Sequence, residues 1–249
     1  MRIAALADVH GNLPALTAVL ADVDRAGVDT IVVAGDIASG PMPAETLDAL
    51  QARGAQLVRG NADRVLDLGG ASEEETWVRA RRWVAGRLGE ERLAFLAALP
   101  LDLRLELPGL GPVRFCHGAP GSDEVAITRL TPTERLRGLL HGVDERVVVC
   151  GHTHVQFDRT VDGIRVVNPG SVGAPYEADP GAYWALLDTR VELRRTEYDF
   201  EAAAAQIVAT GYPKAAEALT YLASDPERPQ RLSALIEHDD RVDFQADDL

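Results

Sequence analysis

The sequence predicts an α/β sandwich on three observations. Short aliphatic or β-branched runs alternate with amphipathic stretches as far as Tyr198, as strands and helices do when they take turns along a chain. Several of the strand-like runs end on a glycine beside a histidine, carboxylate or amide, where a tight turn can present a polar group. At 249 residues the chain can bury one sizeable core without staples.

Arg2–Ala7 reads as a first strand. Asn12, with Pro14 in the first turn, opens a helix whose Leu13, Leu16, Val19, Leu20 and Val23 recur at helical spacing until Gly27. Thr30–Ala34 is a second strand, Pro43–Arg53 a helix ended by Gly54, and Gln56–Arg59 a third strand. Ser72 followed by Glu75 has the capping-box pattern, which predicts a helical region to about Ala98. In the same stretch Glu73, Glu74 and Glu75 place favourable charge at a helix N-terminus. Leu101–Leu107 alternates apolar and polar residues like a half-buried strand. Val113–Cys116 and Arg146–Cys150 read as strands on either side of a helix at Thr131–Leu140. Asp162-Gly163 joins Val155–Val161 to Ile164–Val167 as a hairpin. Ala182–Asp188 and Val191–Tyr198 form a second antiparallel pair.

After Asp199 the pattern becomes Ala-rich and helical, with breaks at Gly211-Tyr212-Pro213 and Asp225-Pro226. One domain over residues 1–198 and a helical extension over 199–249, packed on the core, is the expected organisation. The extension carries no chemical motif, and its acidic end from Asp239 is expected to be disordered.

A formal net charge of −14 argues against broad binding to nucleic acid or anionic membrane, both of which need basic surfaces. It leaves room for a small anionic substrate, because bound cations can make one cleft locally positive. Cys116 and Cys150 end apolar runs and read as buried core residues rather than a disulfide. No apolar run approaches the roughly 20 residues of a membrane span, and no signal peptide is recognisable, so a cytoplasmic location is expected.

The chemistry sits at strand ends. The first strand ends in Asp8-Val9-His10-Gly11-Asn12, the second in Gly35-Asp36, and the third in Gly60-Asn61-Ala62-Asp63. His117-Gly118 and Gly151-His152-Thr153-His154 follow the strands at Val113 and Arg146. Loops at the carboxyl ends of strands in an α/β sheet meet in one crevice. In extended backbone, residues i and i+2 project to one side, so Asp8 with His10, and His152 with His154, should face the same cleft. Imidazole and carboxylate suit Mn, Fe, Zn, Co or Ni, and the absence of Cys ligands argues against a structural zinc site. The candidates Asp8, His10, Asp36, Asn61, His117, His152 and His154 outnumber the ligands of one tetrahedral ion, which points to two ions sharing a carboxylate.

The ordered series Asp-x-His, Gly-Asn-x-Asp, His-Gly and Gly-His-Thr-His, with Gly-Asp after the first of these, resembles the calcineurin-like metallophosphoesterase superfamily. With Asn168-Pro169-Gly170-Ser171-Val172 it is most similar to the small bacterial branch of YfcE-like phosphodiesterases. The resemblance spans Met1 to about Tyr198. It implies a four-layer α-β-β-α sandwich of two mixed sheets packed face to face. It also implies two divalent ions, Mn, Fe, Ni or Zn: Asp8, His10 and His154 on the first, Asn61, His117 and His152 on the second, Asp36 bridging. The implied reaction is phosphodiester hydrolysis by in-line attack of a metal-bridging hydroxide on phosphorus.

One position departs from the family pattern. Many relatives carry His where this chain has Ala62, and that His serves the leaving oxygen while the following Asp orients it. A methyl group does neither, so substrates with acidic leaving groups are expected to be preferred. Asp63 is then free to cap, to pair with Arg64 or to keep a site role. Arg64 is a candidate substrate contact beside Asn61, with an ion-paired surface arginine as the plainer reading. Asn12 reads as a helix cap, and His141 and His238 as surface residues. Phosphomonoester or protein phosphatase activity on the same site, or a catalytically silent protein-binding scaffold of the same fold, are the alternatives. A nuclease is disfavoured by the acidic balance.

Overall fold

The computed structural model describes residues 1–65, 72 and 74–238. Its first sheet runs β10-β9-β1-β2-β3, built from β1 (Ile3–Leu6), β2 (Thr30–Ala34), β3 (Gln56–Val58), β9 (Ala182–Leu187) and β10 (Val191–Thr196). Its second runs β4-β5-β6-β8-β7, built from β4 (Asp102–Leu107), β5 (Gly111–Cys116), β6 (Val147–Cys150), β7 (Phe157–Val161) and β8 (Ile164–Asn168). Both are mixed. β1, β2 and β3 are parallel, as are β5, β6 and β8, while β9, β10, β4 and β7 pair antiparallel at the flanks.

Side-chain alternation explains the layering. Ile3 and Ala5 of β1 and Val32 of β2 point at Val113 and Phe115 of β5 and Val149 of β6, forming the dry seam between the sheets. Their neighbours Ala4, Leu6, Ile31 and Val33 point the other way, against Leu16, Val19 and Val23 of α1 (Leu13–Ala26), Leu47 and Leu50 of α2 (Pro43–Ala52), and Val84 and Leu88 of α3 (Thr76–Ala97). Across the second sheet Cys116, Val148, Cys150 and Val166 meet Leu136 of α4 (Thr133–Leu139). The central strands are therefore buried on both faces, which is why they read as continuous apolar runs. The order is helix, sheet, sheet, helix. Cys116 and Cys150 are buried and free.

Local signals account for most boundaries. Asn12 Oδ1 accepts the Ala15 N–H at 3.2 Å, and Gly27 closes α1 with φ 62°. The β7–β8 turn has Asp162 at φ 50° and Gly163 at φ 89°, the two positive values a type I′ turn needs. The Ser72–Glu75 pattern behaves differently from expectation. Ser72 N–H does donate to Glu75 Oε1, at 3.2 Å, but its Oγ takes the N–H of Glu74, and the helix starts only at Thr76. Ser72, Glu74 and Glu75 lie ahead of α3 rather than in it, and α3 itself breaks at Gly89, where φ is 72°. Glu73 of the acidic run lies outside the described residues, as does the acidic end from Asp239.

The tail forms α5 (Phe200–Ala209), α6 (Ala215–Thr220) and α7 (Arg228–His238). Tyr221, Leu232 and Ile236 pack on Val155, Ala174 and Tyr176 in a cluster of their own. Glu237 Oε2 accepts from the hydroxyls of Thr128 at 2.7 Å and Thr131 at 2.6 Å, which locks α7 to the loop before α4. Among the described residues no helix is long and apolar enough to cross a membrane.

Candidate metal centre

The polar strand ends gather at one rim because the parallel strands all point there. Asp8 and His10 follow β1, Asp36 follows β2, Asn61 opens a 3-10 turn after β3, His117 follows β5, and His152 and His154 follow β6. The extended backbone expected for the Asp8/His10 and His152/His154 pairs is not what the chain adopts. Asp8, His10, Asp36, His152 and His154 have φ of 54°, 46°, 53°, 68° and 56°, and among the described non-glycine residues only Asp162 joins them at positive φ. Such a conformation costs on the order of 1–3 kcal/mol per residue and persists only where surrounding structure over-determines it.

The lashing is visible. Asp8 N–H donates to Gly35 O at 3.0 Å and His10 N–H to Asp36 O at 2.9 Å. Ser171 Oγ donates to Asp8 O, and Asn168 Nδ2 to Gly151 O, both at 2.7 Å. The Asn168–Val172 segment thus acts as a clamp that ties the loop after β1 to the loop after β6. Close approach does the rest: a Cβ on Gly60 would lie 2.1 Å from Asp36 Oδ1, and one on Gly35 2.4 Å from His117 Nδ1.

The donors form two groups either side of Asp36. In the first, His154 Nδ1 lies 2.6 Å from Ala174 O and His10 Nδ1 lies 3.3 Å from Ser39 O. A carbonyl only accepts, so in the neutral rings the proton sits on Nδ1 and each Nε2 keeps its lone pair. Those two Nε2 atoms stand 3.2 Å apart, with Asp8 Oδ1 3.2 Å from that of His154 and Asp36 Oδ2 3.6 Å from that of His10. In the second group His117 Nδ1 lies 2.8 Å from Ala34 O, and its Nε2 faces Asn61 Oδ1 at 3.0 Å, His152 Nδ1 at 3.2 Å and Asp36 Oδ1 at 3.4 Å. All seven candidate residues are brought together. Lone pairs that face one another repel unless a cation lies between them. Two ligands each about 2.1 Å from one ion stand roughly 3.0–3.4 Å apart at octahedral to tetrahedral angles, so the donor set fits metal ions. Asp8, His10, Asp36 and His154 offer ligand atoms all within 4.8 Å of one another.

Charge makes the same point. Asp8 and Asp36 are buried carboxylates, costly without compensation. Burial opposes charge on His117, but Asp36 and Asp8 outweigh it and raise its pKa to about 10, so without metal a proton supplies the missing positive charge. Burial resists ionisation of Asp36 too, yet His117, His10 and His152 hold it below the usual carboxylate range. Burial pushes His10 down, and burial with His117 pushes His152 down to about 4.

The neighbouring residues divide clearly. Asp63 Oδ1 accepts from Ile37 N–H and Oδ2 from Gly60 N–H, each at 2.9 Å, so it pins the loop after β2 to the loop after β3 and makes no pair with Arg64. Burial and then Asp36 push its pKa up to about 7. Arg64 pairs with Glu124 and, at 3.4 Å, with Asp123, and it does not line the cleft over the donors. Ala62 does line it, and gives its N–H to Asp36 Oδ1 at 2.9 Å. The far wall of the cleft comes from α3 and the tail, including Trp77, Arg81, Tyr212, Lys214 and Tyr221. Nothing in the sequence marks these residues, since no local motif joins them.

Comparison with known proteins agrees with the geometry. A family model described as the calcineurin-like phosphoesterase superfamily domain matches residues 1–192. The crystal structure of a metallophosphoesterase from Sphaerobacter thermophilus is 30% identical with a TM-score of 0.73, covering 90% of this chain and 98% of that one. Protein PH1004 from Pyrococcus horikoshii OT3 shares the fold at 23% identity and a TM-score of 0.78, again over 90% of this chain and 98% of the other. Protein MJ0912 of Methanocaldococcus jannaschii is 29% identical over 234 residues, 85% of this chain and 94% of its own length. On a chain whose strand ends carry these donors, the family match settles the assignment: this protein belongs to the calcineurin-like phosphoesterase superfamily and is a metal-dependent phosphoesterase.

Proposed function

We propose that this phosphoesterase is a cytoplasmic phosphodiesterase that works with two divalent ions. Asp8, His10 and His154 hold one, Asn61, His117 and His152 the other, and Asp36 reaches both. The single observation behind this reading is the pair of nitrogen–nitrogen contacts at 3.2 Å, one on each side of Asp36, with each of its oxygens turned to a different group. When bound, such an ion pair supplies an acidified water for in-line attack and neutralises charge on the phosphoryl oxygens.

The chain's own residues do the positioning. The carbonyls of Ala34, Ser39 and Ala174 fix three imidazoles in one tautomer, as outer partners of metal-bound histidines do. The N–H of Ala62 holds the Asp36 carboxylate and that of His152 the Asp8 carboxylate, while the clamp at Asn168 and Ser171 holds the loop backbone beneath them. Ala62 offers no proton to a leaving oxygen, so acidic leaving groups suit the site.

Diester specificity is supported by the two arginines nearest the motifs. Arg59 and Arg64 are engaged by Asp123 and Glu124 rather than turned to the cleft. Arg81 and Lys214 line the cleft, which favours monoesterase activity as the second reading. Metal analysis of the purified protein, with rates on bis(p-nitrophenyl) phosphate and p-nitrophenyl phosphate in Mn, Fe, Ni and Zn, tests both. Two ions per chain and faster diester turnover are expected. One ion per chain would sink the binuclear reading, and faster monoester turnover the diester one.

A further inference from the structure

The cleft extends well beyond the donors. It encloses about 150 Å³, and residues of α3 and the tail line one wall. Its lining runs from His10, His152 and His154 at the donors to Trp77 and Tyr221 on that wall. The wall is aromatic and carries cations. Trp77 Nε1–H donates to Glu75, which fixes the ring, and the Arg81 guanidinium lies 5.3 Å from its centroid. Tyr212 packs edge-on against Trp83 with centroids 5.4 Å apart. Lys214 Nζ pairs with Glu217 at 2.7 Å, and Glu217 also accepts from the Tyr221 hydroxyl at 3.2 Å.

This wall is continuous with the metal centre. The Tyr176 ring lies 4.4 Å from that of His154 and 5.8 Å from that of Tyr221, so one tyrosine links a strand-end histidine to the tail. In a protein of net charge −14, this wall brings the cations Arg81 and Lys214 to the cleft, Lys214 paired with Glu217. Planar rings beside fixed cations are the chemistry that receives a nucleobase next to a phosphate, because every base has a stacking face and guanidinium and ammonium attract phosphate charge.

We propose that Trp77, Arg81, Tyr212, Lys214 and Tyr221 form a recognition subsite for the nucleoside part of the substrate, so that the phosphoester hydrolysed is of the nucleotide class. The subsite rests on the reading of the strand-end cluster as the phosphate-binding metal centre. The tail is then a specificity wall of that site.

Calorimetry on the Mn-supplemented full chain tests the subsite without turnover, using AMP, ribose 5-phosphate and inorganic phosphate as probes. AMP should bind at least about tenfold more tightly than ribose 5-phosphate, within the range that base stacking supplies. Trp77→Ala and Tyr212→Ala should each weaken AMP about tenfold more than inorganic phosphate. Equal affinity of the wild-type protein for AMP and ribose 5-phosphate would overturn the subsite, and that measurement needs no variant to fold. An equal loss for AMP and phosphate in both variants would also overturn it. Mn uptake in the same titrations reports on the metal centre separately, so the two readings fail by different signals.

Discussion

The strand-end rim and the C-terminal wall face each other across one cleft, yet they are built in opposite ways. At the rim each functional side chain sits in a short motif with its own glycine, five of the seven on backbone forced to positive φ and lashed by hydrogen bonds between loops. At the wall the contributing residues come from α3 and from the tail helices with the turns and caps between them, separated by more than a hundred positions and with no repeated signature. The rim concentrates strain and buried charge, which chemistry on phosphorus needs. The wall concentrates aromatic area, which can vary without disturbing the rim. Reaction type and substrate choice are thereby carried by different physical devices, and substitutions on the two sides should fail differently.

The largest effect is expected at the rim. Asp36→Asn removes the one carboxylate that faces both donor groups and should lower hydrolysis by more than about 10²-fold, beyond the roughly 10–100-fold typical of a partner that only touches a metal ligand. Metal content should fall by at least one ion per chain. Unchanged content by elemental analysis would count against bridging. Gly60→Ala comes next. Its Cβ would lie 2.1 Å from Asp36 Oδ1 and 2.3 Å from the Asp36 nitrogen, a backbone atom with nowhere to go. Activity should drop steeply and the melting temperature should fall with it, and a fully active variant would show that the loop after β3 yields.

At the wall the order reverses. Leu232→Ala, at a position 2% exposed in the tail cluster, should destabilise the protein by about 2–4 kcal/mol through lost burial and a cavity. Metal uptake at saturating Mn should persist. A variant that melts like the parent would mean the tail docks by other contacts. If it lost metal while remaining folded, rim and wall would not be separable.

How much could be seen beforehand follows from the same contrast. The elements of residues 1–198 were legible because both-face burial turns strands such as Val147–Cys150 into unbroken apolar runs, and because Asn12, Gly27 and Asp162-Gly163 are strong local stops. Asp8, His10, Asp36, His117, His152 and His154 were legible because each belongs to a short glycine-bearing motif at a strand end. The reason assigned to their convergence was nevertheless wrong: alternation in extended backbone cannot apply at φ near 50°, and left-handed Asp and His leave no compositional trace. The role of Asp63 was open for a related reason, since its partners Ile37 and Ala38 are backbone donors from another loop. Trp77 and Lys214 were invisible. A helix face such as that of Trp77 reads like any half-buried face, Lys214 is a cap residue ahead of α6, and only tertiary docking through Tyr221, Leu232, Ile236 and Glu237 brings the tail into place.

The smallest predicted effect concerns the position where this chain departs from its relatives. Ala62→His restores the side chain that serves a leaving oxygen, and general acid catalysis is worth about 10²–10⁴-fold when fully supported. Support is what the site lacks. Both oxygens of Asp63 are held by the N–H groups of Gly60, Ile37 and Ala38, so the carboxylate that would orient an introduced imidazole is already committed to the loops. The gain on a dialkyl phosphodiester should therefore reach only about tenfold, a fraction of that ceiling, and an aryl diester with an acidic leaving group should gain almost nothing. Parallel rate measurements on the two substrates give the comparison. An equal change on both would mean that position 62 acts through binding rather than through the leaving group, and a gain near the full ceiling would mean that Asp63 can release its loops to serve the new histidine.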